Sequence, residues 1–156
     1  MTKVFKATPL FDAHRAFIRL PMGIRMLNDY PDSKAFLDQV SKTIPEAAED
    51  FSHTQAFLKS YSRKSEATYR SYRNEVERLL LWTWTVAEKS VIALKRPDLE
   101  SYFDFVHNPP AAWVANSVDD RFRQIGGESR QNKEWRPFVA KIAKQDRKNA
   151  IEAGKA

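Results

Sequence analysis

Basic and hydroxyl side chains cluster in one short stretch, residues 59–73. The cations of this stretch are, in chain order, Lys59, Arg63, Lys64, Arg70 and Arg73, and they face a single acid, Glu66. At the beginning of a helix such cations contact phosphates, and the backbone N–H groups and helix dipole also favour an anion. Ser65 and Thr68 add hydroxyls that can donate to phosphate oxygens. The cluster predicts a phosphate-binding surface; the alternative is a solvated helix face whose cations offset Glu66, Glu75 and Glu77.

No complete catalytic or cofactor-binding set is apparent in the sequence. The chain has no cysteine, and its three histidines, at positions 14, 53 and 107, lack the local spacing of a metal pair. Gly126-Gly127 is an isolated pair rather than a phosphate loop. Asp119-Asp120 is a pair of neighbouring acids in a polar stretch, where carboxylates are usually solvated. We therefore predict no catalytic residues, no metal and no small-molecule cofactor for this chain.

Net charge is distributed unevenly along the 156 residues, which carry a formal charge of +6. Residues 1–50 hold seven basic and seven acidic side chains, residues 51–115 nine and seven, and residues 116–156 ten and six. A basic excess of this kind fits a nucleic acid partner. No stretch is apolar enough for a secretory signal or a membrane span. These features predict a soluble, cytoplasmic protein with no membrane partner.

The element that must position the basic cluster is a long helix predicted over residues 65–88. Ser65 stands where an N-cap residue belongs, and neither Pro nor Gly interrupts the run. Apolar residues recur at three- and four-residue steps, which predicts one buried face made of Tyr69, Tyr72, Val76, Leu79, Leu80, Thr83 and Val86. A short helix through Phe57 and Leu58 precedes it. A third helix begins near Pro97 and ends before Pro109.

Shorter elements are predicted on either side of these three helices. Four prolines divide residues 1–50, so only short helices fit, over 11–20 and over 33–42 with Ser33 as N-cap. After the third helix, residues 121–125 alternate like a strand and run into Gly126-Gly127, which predicts a small hairpin or an ordered loop. Trp135 and Phe138 are expected to hold this segment on the core. The tail, residues 141–156, is predicted to be helical or disordered.

Three motifs in order resemble one protein family. The second helix carries Thr68, Tyr72, Arg73-Asn74-Glu75-Val76, Leu79 and Trp82. Together with Gln55-Ala56-Phe57-Leu58 before it and Leu94-Lys95-Arg96-Pro97-Asp98-Leu99 with Tyr102 after it, this pattern resembles the core-binding, SAM-like N-terminal domain of tyrosine recombinases, which include phage integrases and Xer-type enzymes. The resemblance covers about residues 50–108, a third of the chain.

The resemblance implies an all-α fold, a small helical bundle that clamps one side of duplex DNA. Residues 51–108 would be the core-binding domain, residues 1–50 an N-terminal helical extension, and residues 109–156 an insertion and basic tail that end before the fourth core helix. The catalytic domain, with its tyrosine nucleophile, would be absent, so this chain is expected to have no enzymatic activity of its own.

DNA contacts and partners follow from the same resemblance. The implied DNA-facing residues are Lys64, Ser65, Thr68 and Arg70 with Arg73 on the second helix, and Lys95 and Arg96 before the third. The implied function is DNA integration or recombination with other recombinase protomers on double-stranded DNA, in the cytoplasm and at the nucleoid when bound. The alternative is an all-α protein-interaction module with an incidental basic face. A helix-turn-helix regulator fits least, because no glycine-containing turn joins two short helices.

Overall fold

The computed structural model describes residues 7–140, and the predicted tail over residues 141–156 lies outside them. Five α-helices form most of the fold: α1 (His14–Phe17), α2 (Pro31–Ser41), α3 (Ala47–Tyr61), α4 (Glu66–Trp82) and α5 (Arg96–His107). Short 3-10 helices lie at Ile24–Leu27, Val91–Ala93 and Ala111–Trp113. Four short strands come after α5 in the chain: β1 (Val114–Ala115), β2 (Phe122–Ile125), β3 (Glu128–Gln131) and β4 (Phe138–Val139).

The strands show that the all-α prediction was too strict, although the fold is mostly helical. β2 and β3 pair antiparallel, with Arg123 opposite Arg130, and β1 pairs with β4 in parallel. The predicted hairpin thus forms, and the alternative of an ordered loop was wrong. Gly126 and Gly127 have φ values of 60° and 81°, which only glycine adopts without strain in a two-residue hairpin turn.

Helix α4 is the central helix and begins where the sequence predicts. The backbone of Ser65 is extended, and its hydroxyl oxygen accepts a hydrogen bond from the Thr68 N–H at 3.0 Å, as an N-cap requires. One π-helical turn, Thr83–Ala87, continues α4, and Glu88 ends it in the left-handed conformation with φ 56°. The predicted long helix is therefore confirmed over nearly its whole length.

The buried face of α4 differs in part from the predicted one. Tyr69, Leu80 and Thr83 are buried as expected, but Tyr72, whose ring contacts those of Phe57 and Tyr61, is 39% exposed. Val86, also predicted for this face, is 49% exposed. Charged side chains occupy core positions instead, since Arg73 and Glu77 are buried. The spacing Tyr69, Arg73, Glu77, Leu80 is still that of one helix face.

Two predictions for the first 50 residues need correction. Helix forms only over His14–Phe17 within the predicted stretch 11–20. Ser33 is not an N-cap: α2 begins earlier, at Pro31, and the buried Ser33 hydroxyl donates to the Pro9 carbonyl oxygen at 2.6 Å. Proline is favoured in the first helical turn because the missing N–H costs nothing there, and this explains the earlier start.

The hydrophobic core takes side chains from all parts of the described chain. Leu10, Phe11 and Phe17 precede α2, yet they are fully buried, and the Phe11 ring stacks on that of Phe51 at 5.3 Å. Trp135 and Phe138 are also buried, which confirms that they hold the last described segment on the core. The division into residues 1–50, 51–108 and 109–156 stays a prediction.

Candidate nucleic-acid interface

Most of the residues that were predicted to face DNA at the beginning of α4 lie on an exposed surface. Lys64 and Ser65 are exposed, Thr68 is half-buried, and Ser65 Oγ lies 2.8 Å from Thr68 Oγ1. The Lys64 ammonium lies 5.3 Å from the centre of the Tyr61 ring. Arg70 reaches Glu66 only at 3.9 Å, and both side chains are largely exposed, so this ion pair leaves the guanidinium accessible.

Replacing Ser65 by alanine is expected to lower the free energy of unfolding by about 1 kcal/mol, because the Thr68 N–H loses its capping oxygen. Chemical denaturation followed by circular dichroism measures the change. Ser71→Ala is the matched control, since Ser71 is exposed on the same helix without a capping role. Equal losses in the two variants would contradict the capping assignment.

Arg73 is the one predicted DNA-facing residue on α4 whose side chain is buried. Its Nη1 donates to the Asp12 carbonyl oxygen at 3.4 Å, and its Nε and Nη2 donate to Asn74 Oδ1 at 3.2 and 3.1 Å. Desolvation lowers the pKa of its guanidinium to about 10, so the side chain keeps its charge at neutral pH. Arg73 thus supplies positive charge from beneath the surface.

Lys95 and Arg96 lie at the other end of the molecule's central helix. The Asp98 carboxylate accepts hydrogen bonds from the Lys95 N–H and from the Lys89 ammonium, both at 2.9 Å. Lys89 lies just after the π-helical turn that continues α4. The 17 residues of α4 rise roughly 25 Å from Ser65 to that end. The structure therefore does not bring Lys95 and Arg96 together with the residues around Ser65.

Five arginines line a cleft of about 430 Å³ beside α4. Two of them, Arg70 and Arg73, are DNA-facing residues predicted from the sequence, and the other three were not predicted. One wall is α4 and the other is the segment from Ala115 to Val139. Its arginines are Arg70, Arg73, Arg78, Arg121 and Arg136, and we call this site the basic cleft. Among the described residues that line it, Asp119 is the single acid. The positive excess after residue 115 was the one sequence signal for this wall.

A buried network beneath the basic cleft fixes its two walls together. Glu77 Oε2 accepts from the N–H groups of Leu10, at 2.8 Å, and Phe11, at 3.2 Å, while Oε1 accepts from Arg121. Arg121 also donates to Asn74 at 2.8 Å, and its guanidinium lies 4.7 Å from the centre of the Trp135 ring. Glu77 thus compensates much of the charge of Arg121.

The accessible charge of the basic cleft comes from the other arginines. Arg78 donates through Nε to the Pro137 carbonyl oxygen at 2.8 Å, and its guanidinium lies 4.5 Å from the Phe138 ring. Arg136 donates only to the carbonyl oxygens of Lys133 and Trp135, both at 2.8 Å. Arg78 Nη1 also donates to the exposed Glu75 carboxylate at 3.3 Å, so its charge is compensated in part. The carbonyl contacts of Arg136 leave its full positive charge uncompensated, so its guanidinium can attract an anion.

A second opening connects the basic cleft to the beginning of α4. Its lining includes His14, Glu66 and Asp120, and it shares Arg70, Arg73 and Arg121 with the basic cleft. Its lining also includes Asp12 and Asp119, so this opening is of mixed charge, unlike the basic cleft.

No family model, curated protein or solved structure matches this chain.

Within residues 7–140 no group of three or more His, Asp or Glu side chains is placed to hold a metal ion. No helix described there is both long and apolar enough to cross a membrane. The basic cleft, with five arginines and one acid in its lining, has a charge suited to an anionic ligand.

Proposed function

We propose that this chain binds duplex DNA through the basic cleft and the beginning of α4, mainly by contacts to phosphates. The observation that carries this proposal is the convergence of five arginines from two separate segments on one open cleft. Glutamates of α4 offset part of this charge, but Asp119 is the single acid among the described residues that line the cleft. Arginine suits phosphate because its planar fork donates two parallel hydrogen bonds.

The accessible cations set the expected strength of this binding. Lys64, Arg70, Arg78 and Arg136 can each reach one phosphate, since the glutamate partners of Arg70 and Arg78 are exposed. Arg73 is buried, and Arg121 is paired with the buried Glu77. Four phosphate contacts predict that log K falls with log salt at a slope of about −3.6. Phosphate contacts carry no direct sequence information, so this surface would supply affinity rather than specificity.

The resemblance to tyrosine recombinases supplies the biological setting of the proposal. In that setting the chain is the core-binding domain of a recombinase and clamps one side of the duplex, while the strand-cutting domain and other protomers act with it. It would work in the cytoplasm, at the nucleoid when bound. The exposed Ser65 and Arg70 agree with this assignment, and the distant Lys95 and Arg96 would contact DNA only along a separate part of the duplex.

Fluorescence anisotropy with a labelled duplex of mixed sequence tests the proposal. For the unmodified chain we expect binding that weakens between about 50 and 200 mM salt. The variant Arg70→Gln/Arg136→Gln should have a slope near −1.8 and bind roughly 50-fold more weakly at about 0.1 M salt, because two phosphate contacts are lost.

A second double variant controls for the loss of net charge. Arg19→Gln/Arg25→Gln removes the same two charges, and both residues are exposed outside the basic cleft. Neither is an implied DNA contact, whereas Arg96 is one. The slope and affinity of this variant should stay close to those of the unmodified chain. Equal effects of the two double variants, with both folded by circular dichroism, would contradict a DNA site in the basic cleft.

A protein-interaction module remains the second candidate, and a specific surface favours it. Phe103 is 66% exposed on α5, and Leu99, one turn earlier, is also exposed. Phe103 also borders, together with Val106, Val114 and Val139, an open groove of about 640 Å³. Absence of salt-dependent DNA binding by the folded chain would favour this candidate over the first.

A further inference from the structure

The hairpin β2–β3 begins at the edge of the basic cleft. Arg121, in the wall of the basic cleft, is followed directly by β2, and four residues at roughly 3.3 Å each place the tip about 13 Å along the strand from Arg121. At the tip Ile125 is 61% exposed, and Gly126 and Gly127 form the turn. The tip is therefore accessible to a ligand that the basic cleft holds.

Two arginines face each other across this hairpin. Arg123 and Arg130 are directly paired in the antiparallel register, and both are exposed. Like charges in opposite positions destabilise a β-ribbon. Asp32 compensates Arg130, but Arg123 has no hydrogen bond or ion pair with any residue in the described range 7–140. Arg123 thus contributes a positive charge that the fold itself leaves uncompensated.

Both strands of the hairpin contact the region where α2 begins. Asp32 on α2 accepts from Arg130 Nε at 3.1 Å, from Arg130 Nη2 at 3.0 Å and from the Gln131 N–H at 2.8 Å. The Ser129 N–H donates to the Asp29 carbonyl oxygen at 2.8 Å. On β2 the Phe122 ring packs on that of Tyr30 at 4.9 Å, while the next residue, Arg123, is exposed. A hairpin anchored in this way keeps its direction when a ligand contacts it.

We propose that the hairpin β2–β3 enters the major groove of the duplex that the basic cleft holds by its phosphates. This inference rests on the proposed DNA binding and adds a groove-reading element to it. A two-stranded ribbon has strands roughly 4.8 Å apart and fits a major groove about 12 Å wide. In the groove Arg123 would donate to base edges, with guanine as its preferred partner, and Ile125 would contact thymine methyl groups.

Photocrosslinking from single cysteines tests the position of the hairpin on DNA. The chain has no cysteine, so Ile125→Cys can be labelled at one site with an azidophenacyl group. Ile92→Cys is the matched control, because Ile92 is 77% exposed near the far end of α4. With both variants bound to the same duplex, we expect adducts from position 125 and only background from position 92.

A duplex whose major groove is filled by glucosylated hydroxymethylcytosine tests the groove itself. Its phosphates are unchanged, so the loss expected for the unmodified chain, roughly tenfold, would come from blocked base contacts. Arg123→Ala should bind the two duplexes equally well. DNA binding with no adduct from position 125, or with equal affinity of the unmodified chain for both duplexes, would overturn the hairpin inference alone. Absence of binding to any duplex would overturn the proposed function and this inference with it.

Discussion

Replacement of Glu77 by alanine is expected to lower the free energy of unfolding by about 3–5 kcal/mol, the cost of leaving a buried charge without its partner. Glu77 is almost fully buried, and its carboxylate accepts from the N–H groups of Leu10 and Phe11 and from the Arg121 guanidinium. Without it, two buried backbone donors lose their acceptor, and Arg121 loses its charged partner and keeps only the neutral Asn74 oxygen. Urea denaturation followed by tryptophan fluorescence measures the loss.

Glutamine at position 77 is expected to cost nearly as much as alanine. Its single oxygen can serve either the two N–H groups of the first segment or Arg121, and its amide NH₂ would then face a group that only donates. The prediction would be contradicted if Glu77→Gln were as stable as the unmodified chain. Glu75→Gln is the matched control, because Glu75 is exposed on the same helix.

Replacement of Asp50 by alanine is expected to lower the free energy of unfolding by about 3 kcal/mol, because three donors lose a charged acceptor. Its Oδ2 accepts from Trp84 Nε1 and from the Val91 N–H, both at 3.0 Å, and its Oδ1 accepts from Ser90 Oγ at 2.9 Å. These bonds hold the turn after α4 against α3. Thermal unfolding followed by circular dichroism should show a Tm lower by roughly 10 °C.

Asparagine at position 50 should be tolerated much better, in contrast to glutamine at position 77. The amide oxygen can keep the two bonds to Trp84 and Val91, and the amide NH₂ can donate to the Ser90 hydroxyl, which rotates to accept. We expect a loss of about 1 kcal/mol. If Asp50→Asn were as damaging as Asp50→Ala, the negative charge itself, rather than the hydrogen bonds, would hold the turn.

Local signals made the helical framework and the hairpin predictable from sequence. Ser65 and the uninterrupted run after it specify α4, since a capping hydroxyl and helical periodicity act over only a few residues. Gly126-Gly127 specifies the turn between β2 and β3, because both positions need a positive φ. The resemblance to recombinases and the functions drawn from it stay predictions.

Features that depend on distant residues were not predictable in the same way. The parallel pair β1–β4 has two residues in each strand, which is too short for any periodic pattern. Arg73 and Glu77 read as surface charges in the sequence, but Asp12, Leu10 and Phe11 supply their partners from more than 60 positions away. A prediction from hydropathy places apolar side chains in the core and charged side chains at the surface. It therefore places buried ionic groups such as Arg73 and Glu77 at the surface, which is wrong here.

The basic cleft illustrates the same limit for the candidate site. Lys64, Ser65 and Arg70 follow from local position on α4, whereas Arg121 and Arg136 reach the same cleft only because the chain returns after α5. A sequence shows that the segment after residue 115 is basic. It does not show that this charge lies against the arginines of α4.

Contacts between the earliest and latest described segments determine when the fold can be completed during synthesis. Gln131 donates to the Ala7 carbonyl oxygen across 124 positions, and Arg121 shares Glu77 with Leu10 and Phe11. At roughly 5–20 residues per second, the ribosome needs on the order of ten seconds to add the partners of this first apolar segment. Phe11 and Phe17 can pack on Phe51 and Tyr69 earlier, but the contacts of this first segment are complete only after Gln131 has been added.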